Sequence, residues 1–284
     1  MIRAVRVSLN VERMAIRWAA AMGALLIGGM VVAVAGMTLV IGGRGCDVDF
    51  TSTECARVLP AFARWEHAGQ FLLNLLWILP TGLGALLGAA VIAGEIDRGS
   101  AQISWPLART RTRWMLWRVL PVALVLVLSL AALAGFAELV TRARLMTEDP
   151  GFHDYQLRSL ILPARGLLAF SIGLAVGALI GRTIPALVVG VALAAAVTAG
   201  ALIAINTWQL ASATLVLLDD PSWSTSEYPL VVIRSAVSGP AGEGFPTIAV
   251  SEFWVWVLRE AALLTAGTVA AGLAAICIVD QRSP

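Results

Sequence analysis

Six long apolar runs, separated by polar segments, dominate the pattern of this chain. A helix needs about 20 residues to cross the hydrocarbon core of a bilayer, and each run is close to that length or longer. The runs lie at about 18–41, 71–94, 114–140, 164–181, 184–210 and 253–279. We therefore predict an all-α polytopic membrane protein with six transmembrane helices, which places both termini on one side of the membrane.

The composition agrees with this pattern. Of the 284 residues, 59% are hydrophobic and 13% are charged, and the mean hydropathy is +0.85. A water-soluble domain of this length could not cover its surface with so few polar residues. Every basic residue is an arginine, and the net charge of +2 gives no indication of a nucleic-acid partner.

Three long loops fall on the side opposite the termini, and we predict that they face the outside. They cover residues 42–70, 142–163 and 211–252. Within the last loop, Ser212 to Leu218 is apolar, so it either dips into the membrane as a re-entrant element or extends the fifth helix. No linker or sequence repeat divides the chain, so we predict one membrane domain over 1–284.

The first 17 residues have the pattern of a helix that lies in the membrane interface. Their polar side chains recur at intervals of three and four, which places them on one face of a helix. These are Arg3, Arg6, Asn10, Arg13 and Arg17. We predict an interfacial helix over 1–17, after which the chain turns into the membrane at Trp18. In the alternative interpretation, these charges only set the orientation of the first transmembrane helix.

The distribution of charge orients the six helices. With a cytoplasmic N-terminus, the inner segments hold eleven arginines and four acidic residues, and the outer segments hold nine arginines and fourteen acidic residues. Positive charge is enriched on the cytoplasmic side of membrane proteins. We therefore expect a multi-pass protein of the inner (cytoplasmic) membrane with both termini in the cytoplasm.

The loop between the second and third helices is the most informative segment. Arg98, Gly99 and Ser100 favour a turn, Ala101 to Trp105 fit a short helix, and Pro106 ends it. Thr110 or Thr112 then suits the N-cap of the third helix. A short helix between two transmembrane helices would transmit force to both. The alternative is an ordinary cytoplasmic loop whose arginines follow the positive-inside rule.

The residues of this loop closely resemble the pattern of ABC-2-type permeases, and the number and spacing of the helices do so as well. The resemblance implies a coupling helix that docks on a cytoplasmic ABC ATPase. Ser100 stands where that family more often has threonine. The implied ATPase-coupling residues are Glu95, Arg98, Gly99, Ser100, Trp105, Pro106 and Arg109.

The same resemblance implies the permease subunit of an ATP-driven exporter. Two ATPase copies, carrying ATP and Mg²⁺, would work with this chain and with a second permease copy or a sister permease. The expected cargo is an amphiphilic or hydrophobic molecule, such as a drug, an antibiotic, a peptide or a lipid-like compound.

The sequence contains no GxxxxGK[ST] loop for nucleotide, so we expect no cofactor and no enzymatic activity in this chain itself. The alternative function is a membrane scaffold or an envelope sensor that transports nothing. A secondary transporter is disfavoured, because no charge lies near a predicted midplane.

Few polar side chains fall within the predicted helices, and such residues are candidates for function. Asn74, Thr81 and Asn206 are the candidates for a substrate path. Gly173, Gly177 and Gly181 share one face of the fourth helix, where they allow close packing either inside the subunit or between subunits.

Two cysteines share the first outer loop. Cys46 and Cys55 either form a disulfide in an oxidising compartment or remain free thiols. Such a pair is not a general feature of ABC-2-type permeases. His67 and His153 lack companions at the spacing of zinc ligands, so we predict no metal site and no catalytic residue.

Overall fold

The fold is known from a computed structural model of the chain. It describes residues 2–42, 46, 52–99, 110–146, 152–217, 230–232, 237–239, 242–249 and 252–282. Within these residues, six helices are long and apolar enough to cross a membrane. They are α1 (Ile2–Ile41), α2 (Thr53–Asp97), α3 (Arg111–Leu145), α4 (Ile161–Ile180), α5 (Thr183–Ser212) and α6 (Phe253–Gln281). The predicted six-helix membrane fold is confirmed.

Two helices run further than the apolar pattern indicates. α1 continues without interruption past Trp18, so the backbone lacks the predicted turn there, and the apolar span begins at Gly23. The interfacial placement of residues 1–17 remains a prediction. α2 begins at Thr53, so most of the predicted loop 42–70 is helical. Ser52 explains this start, because its hydroxyl accepts a hydrogen bond from the Cys55 N–H and caps the helix.

The helix α4 is the centre of the bundle. It packs against α2, α5 and α6, and it also contacts α3. α1 packs mainly against α2 and α3. In its apolar span 83% of the residues are buried, compared with 17–39% in the other five helices. α4 therefore contacts protein on nearly every face, and the other helices present their outer faces to lipid.

Glycines bring α2 and α4 into backbone contact. A methyl group at Gly84 would collide with the carbonyl oxygen of Gly166, and one at Gly88 would collide with that of Phe170. In the other direction, a methyl group at Gly173 would collide with the Ala85 carbonyl. Small residues at such crossings let two helices approach closely, which is how membrane helices gain packing energy.

The glycine row of α4 is thus used inside the subunit. Gly177 approaches the backbone of Ala89 on α2, where an added methyl group would lie 2.8 Å from the carbonyl oxygen. Gly181 has a different task, because it ends α4 with a left-handed backbone (φ +69°) that favours glycine.

A small sheet follows α5, so the fifth helix does not extend through Ser212 to Leu218. Leu218 lies outside the described residues, and the re-entrant placement of this segment remains a prediction. The strands of the sheet are β1 (Thr214–Leu217), β2 (Leu230–Val232), β3 (Val237–Gly239) and β4 (Gly242–Ala249), and β4 pairs with each of the others in antiparallel fashion. α5 therefore ends at Ser212, and the apolar residues that follow it form a strand. The helical pattern of the membrane domain did not predict this sheet.

The contact between α2 and α4 can be tested by adding one methyl group. Replacing Gly88 with alanine should lower the free energy of unfolding by about 1–3 kcal/mol, because the methyl group overpacks the crossing. The same change at Gly200 meets nothing within 4 Å and should be neutral or stabilising by up to about 1 kcal/mol, since alanine favours a helix over glycine. Thermal unfolding of the purified variants in detergent measures both, and equal stabilities would contradict the close contact.

Candidate functional site

The end of the bundle next to the predicted coupling loop is joined by polar contacts between helices. At this end α2, α4 and α6 finish and α3 and α5 begin, and residues 100–109 connect two of these helices. We call it the linker end. Residues 100–109 lie outside the described part of the chain.

Glu95, in the last turn of α2, forms an ion pair with α3. Its Oε1 accepts a hydrogen bond from Nη1 of Arg118 at 2.6 Å. The Glu95 side chain is 5% exposed and that of Arg118 is 33% exposed. The guanidinium also lies 5.3 Å from the centre of the Trp114 ring, a geometry in which a cation is attracted to the aromatic face. This pair joins the end of α2 to the beginning of α3, on either side of the predicted coupling loop.

Asp97, two residues later, joins α2 to the start of α5. Its Oδ2 accepts hydrogen bonds from the Thr183 hydroxyl at 2.8 Å and from the Thr183 N–H at 3.2 Å. These hydrogen bonds lower the pKa of the Asp97 carboxyl below its ordinary value. The tie is therefore intact at neutral pH and is lost only as the pH falls through that lowered pKa.

The end of α2 is closed by its own residues. Arg98 turns back, and its Nε donates to the Gly94 carbonyl at 2.8 Å. Gly99 follows with φ +70°, a left-handed conformation that glycine adopts without strain. The turn predicted at Arg98 and Gly99 is present. On the other side of the loop, Thr110 caps α3 by accepting from the Arg113 N–H at 3.2 Å, which is one of the two caps predicted.

The beginning of α3 holds the end of α6. Nη1 of Arg111 donates to the carbonyl oxygens of Asp280 at 3.1 Å and of Arg282. The Thr112 hydroxyl lies 3.3 Å from the Asp280 carboxylate. An arginine at the C-terminal end of a helix satisfies carbonyls that have no partner within the helix, and its charge complements the helix dipole.

The end of α6 in turn holds α4. Arg282 donates from Nη1 to the carbonyl oxygen of Ala178, in the last turn of α4. Its guanidinium also lies against Gly181, the residue that ends α4. The linker end is therefore a connected set of helix ends, in which α2 binds α3 and α5, α3 binds α6, and α6 binds α4.

The structure describes three of the seven predicted coupling residues. Glu95, Arg98 and Gly99 are described, and each shapes or anchors the end of α2. Glu95 is buried, so within this subunit it positions the loop and does not present a surface. Ser100, Trp105, Pro106 and Arg109 lie outside the described residues, and their docking role remains a prediction.

The three candidates for a substrate path do not share one environment. Thr81 is buried inside the bundle. Asn74 and Asn206 are exposed on the outer surface of the subunit, and the Asn74 side chain accepts a hydrogen bond from Gln70 Nε2 at 3.1 Å. A path lined by both asparagines would therefore run along the surface of this subunit rather than through its core.

Sequence reasoning missed a buried polar cluster in the half of the bundle away from the linker end. It consists of Tyr155, Arg165, Gln209 and Glu260, which come from four different elements. Arg165 and Glu260 were considered only as part of the charge count of the outer side. The available signal was that each is a charge within an apolar run, and such charges face the protein interior and find partners there.

The predicted cysteine pair is joined in the structure. Cys46 and Cys55 form a disulfide, with their Cα atoms 5.6 Å apart, and Cys55 lies in the first turn of α2. The bridge attaches the segment that follows α1 to the start of α2. Among the described residues, no group of three histidine, cysteine or acidic side chains is arranged to hold a metal ion.

The apolar helices and the order of their connections define a multi-pass membrane protein. A family model described as "ABC-2 membrane transporter related" matches residues 15–206, which is more than half of the chain. The chain therefore belongs to the ABC-2 membrane transporter related family. No curated protein and no solved structure matches it. The resemblance inferred from the loop between the second and third helices is confirmed at the level of the family.

The Glu95 ion pair gives a prediction about the stability of the linker end. Replacing Glu95 with alanine should lower the free energy of unfolding by about 1–3 kcal/mol, because it removes a charge-assisted hydrogen bond from a buried carboxylate. Thermal unfolding in detergent measures this effect. The control is Arg113→Ala, since Arg113 is exposed on the same helix as Arg118, and it should change stability by less than about 0.5 kcal/mol. Equal effects of the two variants would show that the ion pair does not stabilise this end.

Proposed function

We propose that this chain is the permease subunit of an ATP-driven exporter in the cytoplasmic membrane, with its linker end and both termini in the cytoplasm. The family supports a permease that works with an ABC ATPase. The direction of transport, the orientation and the mode of coupling are our proposal.

The observation that carries the proposal is the connection of helix ends at the linker end. Residues 100–109 are bounded by α2 and α3, which the Glu95–Arg118 pair joins. α2 is further bound to α5 through Asp97, and α3 to α6 through Arg111. α6 is bound to α4 through Arg282. A force applied to the loop would therefore reach five of the six transmembrane helices through polar contacts.

The loop itself is the proposed contact with the ATPase. Ser100, Trp105, Pro106 and Arg109 form the docking segment, and Glu95, Arg98 and Gly99 hold it in position. Two ATPase copies bind ATP and Mg²⁺, and this chain contributes no residue to the nucleotide site. The second permease is either a copy of this chain or a sister subunit.

Charge at the linker end supports a cytoplasmic orientation. Arg98, Arg111, Arg113, Arg118 and Arg282 all lie there, and cytoplasmic loops carry an excess of arginine and lysine. The disulfide lies at the opposite end of α2, which this orientation places in the oxidising compartment where disulfides persist.

The proposed substrate is amphiphilic or hydrophobic, and its path lies between two permeases. Asn74 and Asn206 are exposed on the outer surface of the subunit, where an amide facing lipid would be costly. A second permease that covers these exposed amides would place them in a path whose other walls are apolar. Such walls favour an apolar cargo with few polar groups.

The proposal predicts different effects for the docking segment and for the residues that position it. After co-expression with its ATPase, Trp105→Ala should reduce the recovered complex by about tenfold, as expected when a buried interface aromatic is removed. Asp97→Asn should leave the complex intact but lower its substrate-stimulated ATPase activity, because α2 is then less firmly bound to α5. Co-purification and ATP hydrolysis in lipid nanodiscs measure the two effects.

Arg142→Ala is the control for both measurements. Arg142 is half exposed at the far end of α3 and pairs with Glu138 one turn away, so its replacement should change neither recovery nor hydrolysis. Unchanged recovery of the Trp105 variant, together with unchanged hydrolysis in the Asp97 variant, would contradict the coupling role. The same result would favour a membrane scaffold or a sensor.

A further inference from the structure

The buried polar cluster contains two opposite charges that the exporter proposal does not use. Arg165 on α4 is 2% exposed and Glu260 on α6 is 3% exposed. Arginine remains protonated in proteins, so its charge must be compensated where it lies inside an apolar helix. Glu260 supplies the opposite charge, and the two side chains interact electrostatically.

The hydrogen bonds of Arg165 are only partly satisfied by protein. Its Nη2 donates to the Trp77 carbonyl at 3.1 Å, one turn before Pro80 in α2, and the guanidinium lies 5.0 Å from the centre of the Trp77 ring. A proline inside a helix removes a backbone hydrogen bond and loosens the turn before it. The Nε and Nη1 atoms of Arg165 are buried and have no hydrogen-bond partner among the described residues.

Tyr155 connects Glu260 to the neighbouring glutamine side chains. The Tyr155 hydroxyl accepts hydrogen bonds from Gln209 Nε2 at 2.8 Å and from Gln156 Nε2 at 3.3 Å. The Tyr155 hydroxyl can then donate its own proton to Glu260, with which Tyr155 also interacts. Burial, followed by the charge of Glu260, raises the pKa of Tyr155, so the hydroxyl stays protonated and remains a donor.

Two acceptors on side chains that interact with Tyr155 are also without a protein partner within the described ranges. Glu260 Oε2 and Gln156 Oε1 are buried and have no partner among the described residues. No direct salt bridge joins Arg165 to Glu260 in the described part of the chain. Buried polar groups that lack a protein partner are commonly bridged by internal water, which makes two to four hydrogen bonds.

We propose that Arg165 and Glu260 form a hydrated ion pair, bridged by bound water, that fastens α4 to α6 in the half of the bundle away from the linker end. The ligand that this site binds is water. An aromatic cover closes the site, since Phe152 packs edge to face against Tyr155 at 5.7 Å and against Phe253 at 5.5 Å. The site is independent of the exporter proposal, because it requires neither an ATPase nor a substrate.

A double-mutant cycle tests the ion pair. Arg165→Gln and Glu260→Gln should each lower the apparent Tm in detergent by about 5 °C or more, since each leaves one buried charge without its counterion. The double variant should recover part of this loss, because no unpaired charge remains. A double variant whose Tm falls by the sum of the two single shifts would overturn the pair.

Radiolytic footprinting of the unmodified protein tests the water and does not require any variant to fold. X-ray exposure converts bound water to hydroxyl radicals in place, so Tyr155 should be oxidised although it is only 9% exposed. Phe170 is 1% exposed, lies in an apolar cluster and should stay unmodified.

Radicals generated chemically in bulk solution provide the second arm of this experiment. They should leave Tyr155 unmodified, because the site is closed to bulk water. Protection of Tyr155 in both arms would overturn the bound water, and oxidation in both arms would overturn the closed site.

Discussion

The contact between α2 and α4 is the constraint on which the rest of the structure depends. Their backbones meet where Gly84, Gly88 and Gly173 provide no side chain. Lipid gives no hydrophobic driving force for helix association, so close packing of this kind has to supply the binding energy. Because α4 is buried on nearly every face, α2 and α4 together act as the frame that positions the other helices.

Polar contacts fix this frame at the linker end, and two buried charges lie further along it. At the linker end, Asp97, Arg111 and Arg282 join helix ends through hydrogen bonds to hydroxyl and backbone groups. Further along the bundle, Arg165 and Glu260 place opposite charges on α4 and α6. α4 and α6 are joined at the linker end, and the hydrated ion pair that we propose would join them a second time. A displacement of one helix at the linker end would then be transmitted along the other. Such rigidity suits a permease that converts a movement at its cytoplasmic surface into a change along the whole membrane span.

The sequence was sufficient for the parts of the fold that depend on local pattern. Apolar runs gave the six helices, and the Thr110 cap and the turn at Gly99 followed from residue type. The start of α2 at Thr53 was not predicted. Residues 53–70 are amphipathic and precede the apolar run, so a search for apolar runs does not include them. The sheet after α5 was missed as well, since a short apolar segment does not distinguish a strand from a helix.

Only those parts of the site that are formed by residues close together in sequence could be predicted. Glu95 was found from a family pattern, but its partner Arg118 lies 23 residues away, and only the packing of α2 against α3 brings them together. The links from Arg111 to α6 and from Arg282 to α4 span more than 100 residues. Arg165 and Glu260 lie on helices whose relative rotation no sequence pattern fixes, so only the structure shows that both are buried in one part of the bundle.

The sidedness of the loop between α2 and α3 tests the central claim most directly. In a chain whose three cysteines are replaced by serine, Ser100→Cys is treated with a membrane-impermeant maleimide in intact spheroplasts and in inside-out vesicles, with Ser52→Cys as the reference at the opposite end of α2. The account predicts that position 100 is labelled only in inside-out vesicles and position 52 only in spheroplasts. Labelling of position 100 in intact spheroplasts would place the loop outside the cell, where no cytoplasmic ATPase can reach it, and would contradict the account.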